Sequence, residues 1–176
     1  MENNEPQSVA VYGDLTALFA ARSRCRKQIN YETLDHVLKA AVGLKPEENF
    51  DLSAFYTLFS SQNEKQVSFV KTVQDLGWSV NTAHPREVRR GKPTDHRFDA
   101  DISYDIGLGI EEFNKILIVS DSFELARPLE RLQDDDNSCE VHLAFFSEAL
   151  DSRWWPLLRD TDSRIHFTDL DVELYK

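Results

Sequence analysis

Residues Ile116–Ser120 (ILIVS) constrain most strongly what this chain can fold into. Apolar or small and mostly β-branched, they have the length of a strand buried on both faces, as in a parallel sheet. The run stops at Asp121 and Ser122, both good helix N-caps. Phe123–Gln133 then carries Phe123, Leu125, Leu129 and Leu132 at helical spacing. A strand running straight into a helix start puts Asp121 at the carboxyl end of a sheet strand, where open α/β sheets gather their chemistry. Capping the helix is the alternative role for Asp121.

The same grammar recurs along the chain. Val9–Tyr12 predicts a strand, followed by Gly13, Asp14 and a helix over Leu15–Arg26. Tyr31–Val42 is amphipathic, with Leu34, Val37, Leu38 and Ala41 inward, and stops at Gly43 with Pro46 just beyond. A strand centred on Ala54–Leu58 precedes a helix over Lys65–Leu76 with Val67, Val70 and Val73 inward, and Trp78–Asn81 returns as a strand. Ala83–Arg97, with two prolines, a glycine and many charges, reads as an exposed loop. Phe98–Ile110 predicts a helix, Glu140–Phe146 a strand, Ser147–Leu158 a helix and Arg164–Phe167 a last strand. Asp134–Asn137 reads as a solvated acidic turn. Alternating strands and helices predict one α/β domain over residues 9–172, an open, mostly parallel sheet with helices on both faces. Residues 1–8 and 173–176 are expected to be a flexible start and a short tail.

A chain of 176 residues can bury a proper core. It has no apolar run of membrane-span length and no basic-then-apolar leader, so a cytoplasmic protein is expected. Cys25 and Cys139 lack the spacing of a zinc site or a disulfide framework. A net charge of −11 excludes a general nucleic-acid coat protein. It is compatible with a nuclease, whose acidic centre holds metal while a smaller basic rim holds substrate. Two basic clusters exist, Arg22, Arg24, Arg26 and Lys27, and then Arg86, Arg89, Arg90, Lys92 and Arg97. Phe145, Phe146, Trp154 and Trp155 exceed the aromatic needs of a small domain. Some of that surface, most plausibly a tryptophan, is expected in a homodimer interface.

Acids stand beside strand ends or helix starts in three places: Asp14, then Asp99, Asp101 and Asp105, then Asp121. Strands of one parallel sheet share a carboxyl edge, so acids distant in sequence can converge there. A carboxylate cluster suits Mg²⁺ or Mn²⁺, which activate water and stabilise charge in phosphodiester cleavage.

These segments together resemble the NYN domain, a branch of the PIN-like ribonucleases, from Val9 to about Val172. VAVYGDLTAL resembles its opening strand and acid. FYTLFSSQNEKQVSFVKTVQDLGWSV resembles its second strand, helix and return. FDADISYDIGL carries the spaced pair Asp99 and Asp105. KILIVSDSFELARPLERL resembles the strand ending in the family's Ser-Gly-Asp-x-Asp-Phe signature, with Asp121 on its first Asp. Ala17, His96, Ser120 and Phe123 stand where the family has Asn, Lys, Gly and the second Asp. The resemblance implies a metal-dependent endoribonuclease for single-stranded RNA. Asp14, Asp99 and Asp121 would hold Mg²⁺ or Mn²⁺, Asp105 would join the catalytic set, and Arg89, Arg90, Lys92 and Arg97 would contact the RNA backbone. A catalytically degenerate NYN-like module that binds RNA or protein is the competing reading. A flavodoxin- or receiver-like domain is a third, opposed by the absence of a Gly-rich phosphate loop and of a Lys after a late strand.

Overall fold

The computed structural model describes residues 8–25, 28–83, 98–109, 112–134, 139–161 and 163–175. Strand β1 (Val9–Asp14) leads into α1 (Leu15–Cys25) and α2 (Tyr31–Ala41). They are followed by β2 (Leu52–Leu58), α3 (Glu64–Asp75), β3 (Val80–Ala83) and α4 (Asp99–Gly109). The second half runs β4 (Lys115–Val119), a 3₁₀ turn (Phe123–Leu125), α5 (Ala126–Asp134), β5 (Glu140–Phe145), α6 (Trp154–Arg159), β6 (Ile165–Asp169) and α7 (Leu170–Glu173). The six strands form one sheet in the order β3-β2-β1-β4-β5-β6, every pair parallel. The expected three-layer α/β architecture is therefore present. Among the described residues no helix is long and apolar enough to cross a membrane.

Residues 9–12 of β1 and 116–119 of β4 are fully buried, which explains their lack of polar alternation. The Tyr12 and Tyr56 hydroxyls both donate to Asp105, seating α4 on one face over β1 and β2. On the other face the Phe55 ring stacks on Trp78 with centroids 4.2 Å apart, and Trp78 Nε1 donates to Asp35 of α2 at 2.8 Å. Helices α2 and α3 stop at Gly43 and Gly77, both with positive φ, where the sequence places them.

Helix α1 does not run back down the sheet. Its first turn is tied to the end of β2, where Leu58 N donates to Thr16 Oγ1 at 3.1 Å. Its last turn reaches past the end of β4, with Arg24 on Asp121. It therefore lies across the carboxyl edge. The return is made by α2, whose following carbonyl, that of Val42, accepts from Lys115 Nζ at the start of β4.

Two expectations are corrected. Val67 is 43% exposed, leaving Val70 and Val73 as the buried face of α3. Of Ser147–Leu158 only residues from Trp154 onward are helical. Before them, Asp169 and Asp171 accept the Ser147 and Glu148 amides and Asp151 accepts that of Arg153, so side chains take up the backbone groups in place of a helical turn. Trp154, Phe145 and Phe146 are fully buried in the core, while Trp155 is half-buried and packs edge-on against Phe167. Near the C-terminus, Leu174 packs on the core and the Tyr175 hydroxyl donates to the Gln28 carbonyl at 2.7 Å.

Candidate functional site

The strand order reverses between β1 and β4, because the chain first adds strands on one side of β1 and then on the other. At such a switch point the two outgoing connections diverge and leave a crevice beyond the carboxyl ends of the strands. Asp14 ends β1 and Asp121 follows β4, so the crevice is bracketed by acids.

Each acid is held by its local sequence. Asp14 is 5% exposed, and its Oδ1 accepts the Ala17 amide at 2.8 Å, capping α1. Behind it, Gly13 is required by close approach, since a Cβ there would overlap the Phe55 ring. After β4, buried Ser120 accepts the Ser122 amide through Oγ. Ser122 Oγ then accepts the Glu124 amide and serves as N-cap of the 3₁₀ turn. The capping role considered for Asp121 thus belongs to Ser122, and the tight turn presents Asp121 at the edge with its side chain 24% exposed. Asp99 is the first residue of α4, anchored by buried Phe98, whose ring lies 5.6 Å from that of Tyr56.

The three acids feel one another. Burial pushes the Asp14 carboxyl from an ordinary 3.8 up to about 6. The Ala17 amide opposes the rise, and the charges of Asp121 and Asp99 add to it. Asp105 has a different engagement: its carboxylate accepts the Tyr56 hydroxyl and its carbonyl accepts that of Tyr12 at 3.4 Å. Burial first, then this bond to Asp105, pushes the Tyr56 phenol far above its ordinary value, so Tyr56 stays a donor. Asp105 therefore fastens α4 to the sheet, which places Asp99.

Cations border the crevice. Arg24 Nη2 lies 3.5 Å from Asp121 Oδ2. Phe123, at the position of the second signature acid, packs edge-on against Trp154 and lies under the Arg153 guanidinium, 4.9 Å from its ring centroid. Glu124, one residue on, pairs with Arg153 at 3.3 Å.

All-oxygen donors in a repelling cluster suit a hard cation such as Mg²⁺ or Mn²⁺. Among the described residues no three His, Cys, Asp or Glu side chains are placed to grip a metal together. An ion held here would take only one or two carboxylates and keep much of its water, which is the usual habit of Mg²⁺. Arg89, Arg90, Lys92 and Arg97 lie outside the described residues.

Sequence reasoning put Asp14 at the end of one strand, Asp121 just after another and Asp99 at a helix start, where the structure has them. It missed the tyrosine pair on Asp105, whose only sequence signal is Tyr12 and Tyr56 each two residues from a strand end. It also missed Arg24 as the partner of Asp121, because nothing local shows α1 crossing the edge.

No family model matches the chain, and no curated protein does. A solved structure of a protein of unknown function from Vibrio parahaemolyticus is similar, with a TM-score of 0.73 over 99% of each chain at 17% identity. At that identity the likeness concerns the fold.

Proposed function

We propose that this chain is a cytoplasmic, NYN-type endoribonuclease that cleaves single-stranded RNA with the help of Mg²⁺ or Mn²⁺. One observation supports the reading: Asp14 ends β1 and Asp121 follows the adjacent β4 at the switch point of the sheet, with the charges of Asp121 and Asp99 both acting on the Asp14 carboxyl. Asp14 and Asp121 would hold the ion directly, with Asp99 completing the charge beside them. When bound, the ion supplies Lewis acidity toward the phosphodiester and its attacking water. Asp14 holds its carboxylate in place through the Ala17 amide, and Asp99 is steadied by the Tyr56–Asp105 clasp beneath α4. Arg24, already beside Asp121, is placed to exchange that carboxylate for an RNA phosphate. Arg89, Arg90, Lys92 and Arg97 would extend the backbone contacts.

A second reading has its own support. Phe123 removes one signature carboxylate and Glu124 is drawn to Arg153, which favours a module that binds RNA without cutting it. Incubating labelled single-stranded RNA with wild type and Asp121→Asn, in Mn²⁺, Mg²⁺ or EDTA, decides between them. The expected result is metal-dependent endonucleolytic cleavage that falls by an order of magnitude or more in Asp121→Asn. The variant should fold normally, because Ser122 rather than Asp121 is the cap. RNA binding by the wild type with no cleavage in either metal would establish the second reading instead.

A further inference from the structure

A cavity of about 840 Å³ opens beside α1. Thr16, Phe19 and Arg22 form the wall on α1, spaced three apart and so on one helix face. Arg24 lies on a different side of the same helix, which is how one helix can serve both the cavity and Asp121. Opposite stand Tyr31 at the start of α2 and Phe69 of α3. Three rings form a half-buried aromatic corner: Phe19 and Phe69 have centroids 4.4 Å apart, and Tyr31 lies 5.1 Å from Phe69. Arg22 is hydrogen-bonded to the Tyr31 hydroxyl, and Lys65 lines the mouth. The size is that of a small-molecule site. The lining joins three aromatic rings to two cations, Arg22 and Lys65, and one acid, Glu64, a surface that can receive a planar ring carrying an anion.

We infer that this cavity binds a nucleoside 5′-phosphate unit of single-stranded RNA, its base against Tyr31 and Phe69 and its phosphate on Arg22 and Lys65. Base stacking on aromatic side chains is strong and tolerant of sequence, and cations complement a phosphate. Thr16 follows Asp14 by two residues, so a strand anchored here passes over α1 toward the acid cluster. The inference deepens the proposed ribonuclease reading by giving its substrate a holding point, and it rests on that reading only for the strand's path.

The test is binding of UMP, AMP, their nucleosides and a single-stranded RNA hexamer to the full-length protein in EDTA, where no cleavage competes. The probes are Phe69→Leu, which keeps apolar volume but removes the ring face, and Arg22→Gln. Saturable binding of nucleotides is expected, weakened roughly tenfold or more by Phe69→Leu. Arg22→Gln should erase the advantage of nucleotides over nucleosides, and the hexamer should bind more tightly than UMP. No saturable binding, or binding indifferent to both Phe69→Leu and Arg22→Gln, would overturn the inference even if the wild type cuts RNA. Equal affinity for UMP and the hexamer would assign the cavity to free nucleotides and overturn its place on the strand's path.

Discussion

At neutral pH Asp14 carries a charge that its surroundings oppose. Its carboxyl titrates near 6 in the folded chain, against an ordinary 3.8. Below pH 3.8 it is protonated in both folded and unfolded states and costs nothing. As pH rises through this window the unfolded chain releases the proton first, so stability falls, and above 6 the full penalty applies. That penalty is on the order of 3 kcal/mol. Asp14→Asn in EDTA is therefore expected to match wild type near pH 4 and to become progressively more stable toward pH 7, as read from urea midpoints. A gap that does not change with pH would contradict the shared field of Asp14, Asp121 and Asp99. The positions of these acids were legible because each follows a strand or opens a helix. The engagement of Asp105 was not, since its partner Tyr56 comes from a strand almost fifty residues earlier. Such a pairing leaves no periodic trace.

Among the elements, α2 shows where helical periodicity misleads. The spacing predicts Leu34, Val37, Leu38 and Ala41 inward, yet Asp35 and Lys39 are buried in this helix alongside Leu34 and Leu38. The two charges pair at 2.9 Å, Asp35 also accepts Trp78 Nε1, and Lys39 also donates to the Pro46 carbonyl. The face is turned toward a tryptophan that needs an acceptor, and only the tertiary fold supplies that requirement. Asp35→Ala leaves Lys39 buried without its counter-ion and is expected to cost about 3–5 kcal/mol. The check is a shifted urea midpoint at unchanged slope; a loss well below 1 kcal/mol would mean that Lys39 escapes to water. The direction of α1 has the same origin. Its sequence says helix, while the Thr16–Leu58 bond and the docked Gln28 carbonyl lay it across the edge.

For the whole molecule, strand–acid–helix alternation foretold the parallel sheet, and the strand order converts that pattern into a place. Because β1 and β4 are neighbours, residues more than a hundred apart face one crevice. Most of the aromatic cluster of the last third, namely Phe145, Phe146 and Trp154, lies in the core, where β5 and α6 pack. What the fold offers chemically is then carboxylates at the crevice and an arginine-flanked aromatic cavity beside α1. Calorimetric titration of Mn²⁺ into metal-free protein at pH 7.5 tests this most directly. One saturable site is expected in wild type, weakened by an order of magnitude or more in both Asp14→Asn and Asp121→Asn. Absence of saturable binding in wild type, or a site that survives both substitutions, would contradict it.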